Sequence, residues 1–209
     1  MRFKPPPTMD SNIGWRVEFR SLDNQLTDFE NAAFITLLFC LVSWINHHDD
    51  VNTAMPITLI DENMERAHAR NAIATQKFWW PDSLYNNDVE AEGERTFSEK
   101  SLAEIMEQIE DIIQGHLNSQ NLEGEQREYT DHMVNFIVKR ARGEVKTGAQ
   151  YIRDRVAKHP EYMKDSHIHQ SIAYDVVAEA ARIGGHDCED WPKDLLGVRP
   201  QFMNKILLG

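Results

Sequence analysis

One short stretch of the 209-residue chain alternates strictly, and helical periodicity governs most of the chain after it. Trp15, Val17 and Phe19 alternate with Arg16, Glu18 and Arg20, the period of a strand with one apolar and one charged face. Arg2 and Lys4 alternate in the same way over Met1 to Lys4. Pro5-Pro6-Pro7 then ends that first strand, because proline removes backbone donors. The polar run Thr8 to Gly14 reads as the loop between the two. Trp15 and Phe19 are expected to belong to the core.

Helices account for the rest. Thr27-Asp28-Phe29-Glu30 has the form of a capping box, with Thr27 as N-cap and Glu30 reaching back, and it opens the apolar run Ala32 to Ile45. Pro56 and Ile57 to Ile60 read as a short linker. Asp61 is placed to cap a helix that runs to Trp80 and stops at Pro81. Ser83 to Thr96 is polar and acidic without periodicity, a surface loop. Ser101-Leu102-Ala103-Glu104 is a second capping box, and the helix after it sets Leu102, Ile105, Met106, Ile109, Ile112 and Ile113 on one stripe.

After an acidic connector from Asn118 to Glu128, Tyr129, Met133, Phe136 and Ile137 line a helix ending near Gly143. A further helix carries Tyr151, Ile152 and Val156 and ends before His159-Pro160. The last runs from about Ser166 to Ile183 and is closed by Gly184-Gly185. The pattern predicts an α+β chain, predominantly helical: a strand pair over 1–20, about six helices over 25–183, and an irregular tail over 184–209. In that tail Trp191 and Leu195-Leu196 are available to pack back. Two short strands need further partners to form a stable sheet. Since the first residue already lies in a strand pattern, the chain is expected to be part of a larger unit.

Composition narrows the function. A hydrophobic fraction of 41% and a charged fraction of 27% suit a soluble globular domain rather than disorder. The net charge of −12 excludes a duplex-binding surface, so no nucleic-acid partner is expected. Ala32 to Ile45 falls short of the ~20 residues that cross a bilayer, which favours a helix buried in a protein core and no membrane partner. Nothing at the N-terminus resembles a signal peptide. Cys40 and Cys188 are too few and too distant for a disulfide framework, and Cys40 in its apolar run reads as a buried small hydrophobe. A cytoplasmic setting is expected.

The charged face of the strands is the leading candidate for chemistry. Period two sets Arg16, Glu18 and Arg20 about 6–7 Å apart on one face. Such a group is either a surface ion-pair ladder or a nucleotide site, where a carboxylate holds Mg²⁺ and an arginine clamps phosphate oxygens. Arg2 and Lys4 add positive charge to the same side. His47-His48-Asp49-Asp50 lacks the i, i+4 geometry of a zinc helix and reads as a solvated loop. His167-x-His169 and His186-x-Cys188 are equally weak metal signals. Lys139-Arg140-Ala141-Arg142 reads as the charged end of a helix, where cations suit the macrodipole.

The string MRFKPPP, a polar loop and then GWRVEFR closely resemble the catalytic subunit of eukaryotic-type glutamate–cysteine ligase. The resemblance continues in QLTDFENAAF, in DENMERAHARNA and in FIVKRARGEVKTGAQYIRDRVAKHPEYMKDS. It is unclear over Pro81 to Ser98 and beyond about Gly184. It implies ATP-dependent joining of the glutamate γ-carboxylate to the cysteine amine through γ-glutamyl phosphate, the first step of glutathione biosynthesis. It also implies a glutamine-synthetase-like antiparallel sheet, of which the N-terminal strands would be an edge.

Carried over by position, Glu18 matches a magnesium-binding glutamate and Arg20 an arginine that contacts ATP phosphates. Arg16 and Lys4 match family positions in supporting roles, and no catalytic residue is assigned. Mg²⁺ and ATP are the implied cofactor and cosubstrate, with glutamate and cysteine as the other substrates. The family's remaining acidic ligands and its glutamate-recognition arginine lie upstream of the resembling segment. The chain is therefore expected to be a fragment or one half of a split ligase, with the missing N-terminal half or a regulatory subunit as partner. The alternative is a helical interaction module that catalyses nothing.

Overall fold

The computed structural model describes residues 2–20, 22–86, 94–185, 191–200 and 202. Strands β1 (Arg2–Lys4) and β2 (Arg16–Glu18) lead into helix α1 (Asp28–His47), then α2 (Ile57–Ala67) and the single turn α3 (Ala72–Thr75). A second strand pair, β3 (Lys77–Pro81) and β4 (Phe97–Ser101), precedes α4 (Leu102–Ser119), α5 (Gly124–Ala141), α6 (Gly148–Lys158), α7 (Gln170–Gly184) and the short α8 (Lys193–Leu196). The chain is α+β and mostly helical, with two separate two-stranded antiparallel sheets among the described residues. Among the described residues eight helices appear instead of about six, because α3 and α8 are one-turn pieces too short to leave a periodic signal.

The core lies where α1, α4 and α5 meet. Phe29, Ala33 and Cys40 of α1 face Ile105, Ile109 and Ile113 of α4 and Met133, Phe136 and Ile137 of α5, all buried. Both capping boxes form as the sequence predicts. Thr27 accepts from the Glu30 amide while the Glu30 carboxylate takes the Thr27 amide, and Ser101 and Glu104 do the same at α4. Gly143, at φ +77, closes α5 in the left-handed conformation, and the Glu144 amide reaches back to the Lys139 carbonyl at 2.9 Å. The tail packs back as expected: Leu195 and Leu196 are buried, and Phe29 meets Trp191 edge-on at 5.3 Å.

Arg140 lies in the last turn of α5, as the charged helix end predicts, but it is buried there. It is 4% exposed and its guanidinium lies 2.6 Å from Glu30, which is fully buried. One Glu30 oxygen serves the cap of α1 and the other receives Arg140, so a single carboxylate joins the start of α1 to the end of α5. Arg140 also donates to the Leu195 carbonyl and to Gln25, each at 3.3 Å. The signal was present in the sequence: Arg140 follows Phe136 by four residues and Ile137 by three, so it lies on the buried stripe of α5.

The region from Pro56 to Trp80 also differs. Ile57 begins α2 rather than lying in a linker, Asp61 is inside that helix, and the chain leaves it at Ala67. Phe78, Trp79 and Trp80 are strand, not helix. Their partners explain the override. Trp79 pairs across from Glu99, and its backbone N–H and C=O are both satisfied by the Asn63 side chain at 2.7 and 2.9 Å. Its indole N–H donates to Glu62, and Arg66 bridges Glu62, Glu99 and the Lys77 carbonyl. Bonds from α2 thus fix an extended backbone over residues whose local pattern reads as helix. The α7 start is four residues later than expected, at Gln170 with His169 as N-cap.

The apolar run of α1 is buried on one side only. By length and composition α1 could cross a membrane, yet its buried side carries the Glu30–Arg140 pair and packs on α4 and α5. Its other side is open: Phe39 is 71% exposed, and Ile35, Val42 and Ile45 are exposed with it.

Candidate functional site

The hairpin β1–β2 is in antiparallel register, Arg2 opposite Glu18, Phe3 opposite Val17 and Lys4 opposite Arg16. Residues directly opposite share a face, so this register gathers the charged positions of both strands on one side. The three prolines end β1, and the Pro5 carbonyl accepts from the Arg16 guanidinium at 3.3 Å across the hairpin. Arg16 is thereby engaged with backbone and apart from the carboxylate of Glu18.

Lys4 and Arg20 do reach that carboxylate. The Lys4 ammonium is 2.7 Å from Glu18 Oε2, and the Arg20 Nε is 3.1 Å from Oε1. A second Arg20 nitrogen donates to Oε2 at 3.2 Å, which makes the arginine contact bidentate. The hydrogen bond from Lys4, and next that from Arg20, pull the Glu18 carboxyl down from its ordinary 4.5 to about 2. Glu18 therefore stays ionised through the physiological range. The three side chains are 42%, 31% and 56% exposed in the order Lys4, Glu18, Arg20, so water screens the cluster and a competing ligand can reach it.

Of the four residues singled out in the sequence, the structure brings Lys4, Glu18 and Arg20 together and leaves Arg16 one residue pair away. The Arg2 side chain lies outside the described residues. Glu18 is a single carboxylate, and among the described residues no group of three or more His, Cys, Asp or Glu is placed to hold a metal ion. The residues present supply one oxygen ligand for a magnesium ion and do not form a complete site.

The opposite face of the hairpin corrects a second expectation. Trp15 is 71% exposed, and Phe3, Val17 and Phe19 are exposed with it, so this face covers no core among the described residues. Phe19 reaches the rim of an apolar cavity of about 770 Å³ bounded by Phe34, Leu38 and Leu41 of α1, Met106 of α4 and Ile137 of α5, with Arg140 in its wall.

In the histidine-rich run His47 and Asp49 are exposed and His48 and Asp50 half-buried, and the run lies against a buried histidine of α4. His116 of α4 is buried, its Nε2 2.9 Å from the Ser43 hydroxyl. The rings of His47 and His48 lie 5.3 and 6.0 Å from it. Burial, then the neighbouring His47 and His48, lower the His116 pKa below 6.5. The cluster brings residues 68 or more apart in sequence into contact, which no local motif reports. His167 and His169 stack at 4.6 Å, and His186 and Cys188 lie outside the described residues.

Comparison with known proteins agrees with the strand motif. A family model described as glutamate–cysteine ligase matches residues 1–183, ending where the resemblance in the sequence also fades. The chain is 37% identical to glutamate–cysteine ligase of Schizosaccharomyces pombe over 199 residues, 91% of this chain and 29% of that protein. It is 35% identical to the Dictyostelium discoideum glutamate–cysteine ligase over 184 residues, 85% of this chain and 29% of the relative. Against the human glutamate–cysteine ligase catalytic subunit it is 32% identical over 208 residues, 90% of this chain and 32% of the other. The chain thus spans about a third of the length of these curated relatives, and its hairpin and helical region fall within the matched segment. The chain belongs to the glutamate–cysteine ligase family.

Proposed function

We propose that this chain is the part of a glutamate–cysteine ligase that presents a nucleotide-facing strand pair to ATP. Glu18 is one of the oxygen ligands of Mg²⁺, Arg20 contacts the ATP phosphates, and Lys4 and Arg16 support them. The reaction is the joining of the glutamate γ-carboxylate to the cysteine amine with consumption of ATP, the entry to glutathione biosynthesis, in the cytoplasm. Magnesium, when bound, supplies positive charge against the phosphoryl oxygens.

The observation that carries this role is the pairing of Lys4 and Arg20 with one half-buried carboxylate that is ionised at neutral pH. Both cations are already desolvated on one side by Glu18. An arriving phosphate can draw Arg20 and Lys4 to its own oxygens and free the carboxylate for the accompanying cation, without any rearrangement of backbone. Arg20 is the better phosphate partner because its planar fork is engaged in bidentate fashion. A lone carboxylate and two or three cations do not complete a phosphoryl-transfer site, so the remaining ligands and the glutamate pocket come from the larger ligase.

Two measurements test the role. Magnesium-dependent ATP binding, followed by calorimetry, should be lost in Glu18→Gln and in Arg20→Ala. Phosphate release with ATP, glutamate and cysteine should be absent from the chain alone, and robust turnover would show that the chain holds a complete site. Failure of both variants to alter ATP binding would instead favour a non-catalytic helical module, a role that the open apolar side of α1 would also serve.

A further inference from the structure

Between the charged strand β2 and helix α1 the chain crosses a short connector, and one side chain in it is held from both ends. Gln25 lies five residues after Arg20. Its Oε1 accepts from the Arg140 guanidinium at 3.3 Å, and its Nε2 donates to the Asp23 carbonyl at 2.9 Å. An arginine only donates and a carbonyl only accepts, so this amide has one satisfactory orientation. The Gln25 backbone is held too. Its N–H donates to the Asn31 side chain at 3.0 Å, and Asn31 donates in turn to the Thr27 carbonyl.

The next residue is seated as firmly. The Leu26 side chain lies 3.7 Å from where a Cβ on Gly148, the first residue of α6, would stand. Its carbonyl oxygen lies 2.8 Å from the place a Cβ would take on Gly184, the last residue of α7. Any side chain at Gly184 would have to push the Leu26 backbone aside. Alanine is ordinarily the better helix former, so the glycine serves the close approach of α7 to the connector. Arg140 is itself buried and fixed by Glu30 and the Leu195 carbonyl. The start of α1, the end of α5, the start of α6 and the end of α7 therefore converge on Gln25 and Leu26.

We propose that Gln25 is a positioning residue for the nucleotide contact at Arg20, a role that rests on the ATP reading above. Its amide carries the fixed position of Arg140 to the Asp23 backbone, three residues from Arg20. The need for such an anchor follows from the exchange of partners at the charged face. When a phosphate draws Arg20 away from Glu18, the exposed ion pair no longer holds the arginine. A guanidinium that must meet phosphate oxygens with two nitrogens tolerates little displacement. The Gln25 amide is not exchanged in that step and keeps the end of the strand in place.

The test uses the full chain and Gln25→Glu. A carboxylate still receives Arg140, so the urea midpoint should stay close to its parent value, but at neutral pH it has no proton to donate to Asp23. Without nucleotide, NMR relaxation should show the Arg20 Nε–H and the amides of residues 22–24 more mobile. Magnesium-dependent ATP binding, followed by calorimetry, should weaken about 5-fold, the ordinary effect of one hydrogen bond. Gly184→Ala removes none of these hydrogen-bonding groups, yet it displaces Leu26 and should act in the same direction on both readouts. Gly115→Ala in α4, with open space around it, should change neither.

Unchanged Arg20 relaxation in Gln25→Glu would overturn the inference, whatever ATP binding does. A more mobile Arg20 with the parent's ATP affinity would overturn it as well, because the nucleotide would not depend on the connector. A more mobile Arg20 in a chain whose parent form binds no ATP would keep the hold of Gln25 on Arg20 and overturn the ATP reading instead.

Discussion

Glu30 and Glu18 are both held by a guanidinium, and they differ sharply in solvation. Glu30 is fully buried, takes the Thr27 amide and hydroxyl on one oxygen and receives Arg140 on the other. Glu18 lies on an exposed strand between Lys4 and Arg20. The chemistry of the contacts is nearly the same, yet the consequences differ. A buried pair has no water to fall back on, so each partner is indispensable to the other and the pair fixes how α1 and α5 meet. An exposed pair can exchange its partner for water, salt or a ligand at little cost. Architecture is built from the first kind and recognition from the second.

The largest expected effect is therefore the loss of one buried partner. Arg140→Met should destabilise the chain by ~3–5 kcal/mol, because it strands Glu30 as an uncompensated charge beneath the capping box. Glu30→Gln with Arg140→Met should recover a good part of that, since the remaining amide can still accept from Thr27. Urea unfolding of the two single variants and the double variant measures the coupling. A double variant destabilised by the sum of the two single effects would mean that the pair is no more interdependent than an exposed one.

A smaller effect is expected on acidification, through His116. Its folded pKa is depressed by burial and by His47 and His48, so the neutral ring contributes stability that is fully present above 6.5. As pH falls below 6.5 the unfolded chain takes up the proton first, and that contribution is lost as pH falls through the lower folded value. Ser43 bonds the ring at Nε2, His47 and His48 lie against it, and His48 in turn meets Trp44 and Tyr85. His116→Gln should flatten the fall in melting temperature between pH 7 and 5 on the order of one ionisation. An unchanged slope would place the proton uptake elsewhere, with His132, also depressed by burial, as the next candidate.

Smaller again is the exposed capping box at α4. Ser101→Ala should cost ~1 kcal/mol, the ordinary value for an N-cap, because the orphaned Glu104 amide can turn to water. Thr27→Ala should cost more, since the Thr27 hydroxyl also serves the buried carboxylate of Glu30. Equal costs at the two caps would show that burial does not amplify the first.

Legibility in the sequence depends on how far apart the interacting residues are. The two capping boxes and the alternation of Arg16 to Arg20 are local, and the structure forms both. The β3–β4 hairpin was not visible, because Phe78 to Trp80 owe their extended backbone to Asn63, Glu62 and a strand about twenty residues away. Glu30 was read only as a cap, and its partner Arg140 is 110 residues on, in a run of basic residues that resembles a solvated helix end. The exposed faces of α1 and β2 mislead for another reason. An apolar residue reports that it will be covered, but not whether the cover belongs to the same chain.

The smallest expected change in stability, and the one with the largest consequence for function, is at Glu18. Its folded pKa is lowered to about 2 from 4.5, so whatever stability the ladder contributes is complete above 4.5 and is lost as pH falls toward 2. The group is exposed and screened, so added salt should weaken even that contribution. Glu18→Gln should consequently lower the urea midpoint at neutral pH only slightly, and should abolish the small acid-dependent part assigned to this residue. It should still remove magnesium-dependent ATP binding. The two readouts separate because a glutamine can accept hydrogen bonds from Lys4 and Arg20 but carries no charge for a cation. If Glu18→Gln unfolded the chain as Arg140→Met does, the ladder would be structural, and the contrast between a fixed buried pair and an exchangeable exposed one would not hold.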